Sequence, residues 1–124
     1  MNDSTNPLAL IVEDDPDAAS IFSEALKAAE FNTEIVRTGD KALERLTVIQ
    51  PAIVVLDMHL PHVAGPDILR HIRADPRLAK TQVMIATADP GMASTLHDQA
   101  DLVLLKPISF SQLRDLAKRL RTTI

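Results

Sequence analysis

The run of apolar residues 53–56 ends directly on Asp57, and this stretch constrains the fold more than any other part of the sequence. Four mostly β-branched residues in a row predict a strand that is buried on both faces, as in the interior of a parallel sheet. Ligands bind beyond the carboxyl ends of such strands, so Asp57 stands where chemistry is expected. The alternative is that Asp57 only starts the turn that Pro61 and Gly65 indicate. Taken alone, the stretch leaves both interpretations open.

Length and composition narrow the class of protein. The chain has 124 residues, 46% hydrophobic and 24% charged, which predicts one globular domain over residues 1–124. The absence of cysteine excludes disulfides and thiolate metal sites and fits a reducing compartment. With no long apolar run and no signal peptide before Leu8, we expect a cytoplasmic protein without membrane contact. A net charge of −4 offers no basic surface for direct nucleic-acid binding.

Short apolar runs alternate with helical patterns along the chain. Residues 1–7 form a polar tail that we expect to be flexible. Strands are predicted at residues 8–12, 33–36, 53–57, 83–86 and 102–105. Helices are predicted near residues 16–30, 42–49, 65–72, 93–97 and 109–120. Because crossovers between parallel strands are right-handed, this order predicts an α/β three-layer sandwich, a flavodoxin-like (βα)5 fold with strand order 2-1-3-4-5.

Two helix starts carry capping signals, and one helix raises a question of packing. Asp15 before Pro16 is a predicted N-cap, and Ser109 with Gln112 fits a capping box. Ile21 and Phe22 both belong to the apolar stripe of the first helix. For Phe22 we favour core packing over docking of a partner.

Polar side chains follow four of these strands at the same edge of the predicted sheet. Strand one ends in Glu13 and Asp14, strand three in Asp57, strand four in Thr87 and strand five in Lys106. Three converging carboxylates repel one another unless they bind a cation, and oxygen ligands suit Mg²⁺. A hydroxyl and an ammonium group nearby could hold the oxygens of a phosphoryl group. Singly each residue is weak evidence, but together they predict a nucleophilic aspartate with a metal and two charge-balancing groups.

The sequence resembles a response-regulator receiver domain (CheY-like) of two-component signal transduction along nearly its whole length. The resemblance rests on Val12-Glu13-Asp14-Asp15-Pro16, Leu56-Asp57-Met58-His59-Leu60-Pro61 with Gly65, Ala86-Thr87-Ala88 and Lys106-Pro107, and on the spacing between them. It implies a phosphoacceptor that takes its phosphoryl group from a sensor histidine kinase or a histidine phosphotransfer (Hpt) protein of a phosphorelay. Such a domain is not an enzyme on other substrates, since it catalyses only its own Mg²⁺-dependent phosphorylation and dephosphorylation.

The resemblance also implies a role for each residue near the metal. Asp57 would be the phosphoacceptor and a ligand of Mg²⁺ or Mn²⁺. Asp14 would be a direct ligand, and Glu13 would act mostly through water. The backbone carbonyl of His59 would supply a further ligand.

Three other residues would face the phosphoryl group. The resemblance implies that the Thr87 hydroxyl and the backbone amide of Ala88 receive phosphoryl oxygens, while Lys106 pairs with the phosphoryl charge. It also implies a cis peptide bond between Lys106 and Pro107.

Two features depart from the family pattern. Val103 stands where receivers usually carry Tyr or Phe, and the stretch between Thr87 and Lys106 is a few residues shorter than usual. Since valine has one stiff χ1 angle and no long polar tip, we expect activation not to run through residue 103. We expect backbone changes in residues 87–95 instead, with little movement of the last helix.

Other functions and partners remain as alternatives. A phosphatase of the haloacid-dehalogenase type needs a second aspartate where His59 stands, and a flavodoxin-like FMN carrier would not place three acids after strand one. His59 or Asp89 could tune hydrolysis of the acyl phosphate, although solvated loop positions are slightly favoured for both. The regulated partner is an unknown output domain or downstream protein, and a phosphorylation-dependent homodimer stays open.

Overall fold

The computed structural model describes residues 5–124, which alternate between strands and helices. The strands are β1 (Leu8–Val12), β2 (Asn32–Val36), β3 (Ile53–Asp57), β4 (Gln82–Thr87) and β5 (Leu102–Leu105). The helices are α1 (Pro16–Ala28), α2 (Gly39–Leu46), α3 (Gly65–Ala74), α4 (Pro90–Leu96) and α5 (Phe110–Arg121), with a 3₁₀ turn at Pro76–Leu78. Of the predicted flexible tail, residues 1–4 lie outside the described residues. The Pro7 carbonyl accepts a hydrogen bond of 2.9 Å from the Asn32 N–H.

All strand pairs are parallel, and the sheet has the order β2-β1-β3-β4-β5. The predicted 2-1-3-4-5 order is therefore confirmed. Val12 at the end of β1 pairs with Val36 of β2 and with Leu56 of β3. This register brings the residues that follow β1 next to the end of β3.

Side chains alternate between two separate cores on the two faces of the sheet. On one face, Ile11 and Val55 pack with buried residues of α1 and α5. On the other face, Leu10 and Val54 pack with α2 and α3. β3 is buried along its whole length, as its continuous apolar run predicts. No helix within residues 5–124 has the length and apolar character needed to cross a membrane.

The two predicted N-caps are confirmed. Asp15 Oδ2 accepts a hydrogen bond of 2.9 Å from the Ala18 N–H, and Ser109 Oγ accepts one of 3.1 Å from the Gln112 N–H. α2 begins at Gly39, before the apolar pattern suggests, because Thr38 caps it through its side chain. It also ends at Leu46 and not near residue 49, since Thr47 closes a turn onto the Glu44 carbonyl.

The apolar stripe of α1 is narrower than predicted. Phe22 is only 3% exposed and lies in the core, which confirms the packing interpretation. Ile21 is 45% exposed, so its assignment to the buried stripe is wrong. Neighbouring residues on a helix point about 100° apart, so Phe22 and Ile21 cannot both face the sheet squarely.

Candidate functional site

An acidic cluster lies where β1 and β3 end side by side. Glu13, Asp14 and Asp57 each offer a carboxylate oxygen, and these oxygens lie within 4.8 Å of one another. Glu13 and Asp57 are buried, whereas Asp14 is exposed to solvent. Hard oxygen donors at this spacing, open to solvent on one side, fit a Mg²⁺ ion that keeps several of its waters.

Local hydrogen bonds and close packing fix the position of Asp57. The Met58 N–H donates to the Ala86 carbonyl at 3.1 Å, which extends the pairing of β3 and β4 beyond Asp57. The His59 N–H donates to Asp57 Oδ1 at 3.1 Å. Gly65 opens α3 so close to this backbone that a Cβ atom there would lie 2.7 Å from the Asp57 carbonyl oxygen. The carboxylate therefore sits on a rigid support.

Lys106 reaches the acidic cluster from the end of β5. Its Nζ atom lies 2.8 Å from Glu13 Oε1 and 3.5 Å from Asp57 Oδ1. The backbone N–H of Lys106 donates to the Thr87 carbonyl at 2.8 Å, which places the main chain of Lys106 beside the end of β4. The Lys106–Pro107 peptide bond is cis, as predicted. The lysine thus bridges two carboxylates.

The electrostatics of the cluster favour an added cation. Burial raises the pKa of the Glu13 carboxyl more than the hydrogen bond from Lys106 lowers it. Burial also acts to lower the pKa of the Lys106 ammonium, but the hydrogen bond from Glu13 and the charges of Asp57 and Glu13 outweigh it, so this pKa is raised. Lys106 therefore stays charged at neutral pH, and it alone balances three carboxylates within this cluster.

Thr87 is fully buried at the end of β4, and its hydroxyl has three neighbours. Thr87 Oγ1 accepts a hydrogen bond of 3.0 Å from the Asp89 N–H and lies 3.5 Å from His59 Nε2. The hydroxyl donates to Met92 Sδ at 3.9 Å. Ala88, the next residue, is exposed. The carboxylate of Asp89 caps α4 through the N–H groups of Gly91 and Met92.

Arg37 supports the acidic loop, and sequence reasoning missed it. Its Nε and Nη2 atoms donate to the backbone carbonyl of Asp14 at 3.0 and 2.9 Å. Because the acceptor is a main-chain atom, no side-chain pattern pointed to this contact. The one available signal was that Arg37 directly follows β2, the neighbour of β1 in the sheet.

The sequence model of the response regulator receiver domain family matches residues 9–118 of this chain. The chain belongs to this family. Receiver domains act in two-component signalling, and the resemblance drawn from the sequence is therefore confirmed. The acidic cluster is the place at which this receiver would hold Mg²⁺.

Individual relatives agree with the family. The chain is 29% identical to the DNA-binding response regulator MtrA of Mycolicibacterium smegmatis over 111 residues, which are 90% of this chain and 49% of MtrA. It is also 29% identical to the receiver domain of a signal transduction histidine kinase from Syntrophus aciditrophicus, with a TM-score of 0.84 over 95% of this chain and 92% of that one. The chain spans about half the length of the MtrA regulators to which it is similar.

A more distant structure supports the fold alone. The chemotaxis response regulator CheY4 of Vibrio cholerae is 20% identical to this receiver, with a TM-score of 0.84 over 94% of this chain and 99% of that one. The five-stranded parallel sheet is therefore retained at low sequence identity.

Val103 occupies the β5 position at which the resemblance leads us to expect an aromatic ring. It pairs in register with Ile85 of β4 and is half-buried against the core that faces α2 and α3. Met92 and Leu96 of α4 pack against the same core. The part of this core that Val103, Met92 and Leu96 contact is therefore aliphatic apart from the thioether groups of its methionines.

Proposed function

We propose that this receiver accepts a phosphoryl group on Asp57 from a phosphohistidine of a sensor histidine kinase or a phosphotransfer protein. A carboxylate oxygen of Asp57 forms a bond to phosphorus as the phosphorus–nitrogen bond of the donor breaks, and the imidazole leaves with its electron pair. The observation that supports this best is the convergence of Asp57, Lys106 and the acidic pair at one edge of the sheet.

The residues around Asp57 supply the charge balance for this transfer. Lys106 already lies 3.5 Å from the nucleophile, so its ammonium group is close enough to pair with a phosphoryl group on Asp57. The Thr87 hydroxyl and the Ala88 N–H donate hydrogen bonds to the remaining oxygens. Mg²⁺, held by Asp14, Asp57, the His59 carbonyl and, through water, Glu13, would offset the negative charge of the phosphoryl group. These roles rest on the family resemblance together with the geometry described above.

We further propose that the domain has no other substrate and signals by changing its interactions. A phosphatase of the haloacid-dehalogenase type is not favoured, because the residue two positions after Asp57 is a histidine and offers no carboxylate. Hydrolysis of the aspartyl phosphate resets the domain: water attacks phosphorus, inorganic phosphate leaves and the carboxylate of Asp57 returns.

The proposed partners follow from the relatives and from the charge of the chain. MtrA is a DNA-binding regulator, but its match to this receiver covers 49% of its length. Because the net charge of −4 does not favour association with DNA, we propose that residues 1–124 act as one receiver module whose output lies in another domain or protein.

Phosphorylation by acetyl phosphate tests the assignment. With Mg²⁺ present, intact-mass spectrometry should show one phosphoryl group on the wild-type protein and none on Asp57→Asn. Chelation by EDTA should abolish the uptake. Asp17→Asn, which removes an exposed carboxylate in the first turn of α1, is the matched control and should be phosphorylated like the wild type. Equal uptake by Asp57→Asn would overturn the proposal.

A further inference from the structure

A large cavity lies at the end of the sheet opposite to the acidic cluster, where the strands begin. Its volume is about 840 Å³, which is the size of a site for a small organic molecule. It extends from Arg73 and Arg77, at and beyond the end of α3, to Thr123 beyond α5, and the starts of β1 and β4 form part of its wall. No residue of the acidic cluster lines it, so the proposed phosphorylation does not use this cavity.

The lining of this cavity is positively charged, although the chain has a net charge of −4. Among the described residues that line it, Arg73, Arg77 and Lys80 are cations and Asp101 is an acid. The charge of Arg73 is balanced by Asp101, whose Oδ2 atom lies 3.1 Å from the guanidinium group. Lys80 is exposed and forms no ion pair with any of residues 5–124. The cavity therefore keeps an unbalanced positive charge that attracts anions.

Arg77 adds hydrogen-bond donors to the charge of Lys80. Its Nη2 atom donates to the Leu46 carbonyl and, at 3.2 Å, to Asp75 Oδ2. Its Nε and Nη1 atoms donate to no acceptor in the part of the chain that the structure describes. Arginine and lysine bind phosphate oxygens through charge-assisted hydrogen bonds, so Arg77 and Lys80 together suit a phosphate group.

Gln82 offers an acceptor that lacks a donor. Its Nε2 atom donates to Thr123 Oγ1, whereas its Oε1 atom is the one buried side-chain oxygen or nitrogen within residues 5–124 that has no hydrogen-bond partner. Buried polar atoms are nearly always paired, so this exception calls for an explanation. Gln82 lines the cavity at the start of β4, and rotation of its amide group would present Oε1 to a molecule held there. A ligand with an N–H donor would satisfy this oxygen.

The apolar part of the lining narrows the class of ligand. Pro51, Ala52 and Pro76 contribute rigid nonpolar surface on which a planar group can pack. A nucleoside monophosphate combines an anionic phosphate, a planar base and N–H donors at the edge of that base. These three features correspond to the cations Arg77 and Lys80, to the proline surface and to the unpaired oxygen of Gln82.

We propose that this cavity binds a nucleoside monophosphate, with the phosphate on Arg77 and Lys80 and an N–H of the base donated to Gln82 Oε1. The site is separate from the acidic edge of the sheet. Binding there needs no phosphoryl group on Asp57, so the inference does not rest on the proposed function.

Amide NMR of the full chain, titrated with guanosine monophosphate (GMP), tests the proposal. The titration is carried out in EDTA, so that no divalent ion draws the phosphate to the acidic cluster. We expect saturable shifts in residues 77–82 and 123–124, with residues 13–15 unchanged. If the signals of residues 77–82 do not show saturable shifts, the proposal is overturned.

Two parts of the ligand serve as separate probes. Guanosine lacks the phosphate and inorganic phosphate lacks the base, so each should bind roughly tenfold more weakly than GMP, or weaker still. Inorganic phosphate that binds as tightly as GMP would show a patch of positive charge only and would overturn the proposal. Guanosine that binds as tightly as GMP would remove the role of the two cations and would also overturn it.

Three variants assign the contacts. Lys80→Gln removes the unbalanced charge and should weaken GMP binding roughly tenfold. Gln82→Met keeps the length of the side chain and removes the acceptor, so it should weaken GMP binding several-fold and leave the binding of inorganic phosphate unchanged. Lys118→Gln, in the last turn of α5 and outside the lining, is the matched control and should bind GMP like the wild type.

Urea unfolding and phosphorylation by acetyl phosphate separate this site from folding and from the chemistry of Asp57. Lys80→Gln and Gln82→Met should be as stable as the wild type and should take up a phosphoryl group like it, because an exposed charge and an unpaired buried acceptor contribute little to the fold. Unchanged GMP binding in Gln82→Met, or an equal loss in Lys80→Gln and Lys118→Gln, would show the proposal to be wrong.

Discussion

Asp57 is the proposed phosphoacceptor, and its carboxylate is also repelled by the neighbouring carboxylates of Glu13 and Asp14. It is buried beside Glu13, and the shorter contact of Lys106 goes to Glu13 and not to Asp57. Replacing Asp57 by Asn removes one of several like charges and leaves the Lys106–Glu13 pair in place. The residue that carries the proposed chemistry is therefore not one that the resting fold needs.

We expect Asp57→Asn to be at least as stable as the wild type without metal, with a free energy of unfolding higher by up to about 1 kcal/mol. Urea unfolding in EDTA measures this. Added Mg²⁺ should then stabilise the wild type more than the variant, because only the wild type keeps all three carboxylates. A clear loss of stability of Asp57→Asn in EDTA would contradict this account of the cluster.

Arg37 acts on the metal site through the backbone of Asp14. Arg37→Lys keeps the positive charge but cannot make the two-pronged contact with the carbonyl. Loss of this positioning should weaken Mg²⁺ binding by roughly 1 kcal/mol, or about fivefold. Titration with Mg²⁺, followed by the amide signals of residues 13–15, checks this expectation. Arg114→Lys, remote from the cluster on α5, is the control and should bind Mg²⁺ like the wild type.

Among the elements, the strands and caps were readable from the sequence, whereas some helix bounds and faces were not. β1 and β5 match their predicted bounds because each is a continuous apolar run. The start of α2 was missed because its cap, Thr38, stands before the apolar pattern begins. The outward direction of Ile21 depends on how α1 sits between the sheet and α5, which a periodicity alone does not specify.

The start of α3 is a point of close packing behind the site. A Cβ atom on Gly65 would lie 2.6 Å from Met58 Cα, so Gly65→Ala must displace this backbone. We expect a loss of roughly 1–3 kcal/mol of stability and slower phosphorylation by acetyl phosphate. Gly91→Ala is the matched control, since a Cβ atom there would lie no nearer than 3.3 Å to Asp89 Oδ1, and this variant should lose far less stability. Similar losses in both variants would contradict the packing argument.

α4 and α5 should respond differently to activation. Beryllium fluoride with Mg²⁺ mimics an aspartyl phosphate. Its addition should change amide chemical shifts mainly in residues 87–95, which contain Thr87 and most of the weakly buried α4. α5 should change little, because its buried face packs against α1 and the sheet. Shifts concentrated in residues 113–120, with a quiet 87–95 segment, would disagree with this expectation.

At the scale of the whole molecule, the position of the site was predictable because parallel strands end at one edge of the sheet. That rule alone places Glu13, Asp57, Thr87 and Lys106 together. It does not specify the direction of each side chain within the edge. The contact of Lys106 with Glu13, the support of Asp14 by Arg37 and the approach of Met92 to Thr87 all depend on tertiary packing between distant segments.

The shallow seating of α4 has a consequence for how such a protein can diverge. Most substitutions that destabilise a domain act through its buried core, and a domain survives them only while its stability stays above a threshold. α4 contributes little to that core, so we expect changes on its outer side to leave the stability of the domain, and with it its abundance in the cell, almost unchanged. This helix can therefore acquire new recognition surfaces in a lineage while the acidic edge of the sheet keeps its chemistry.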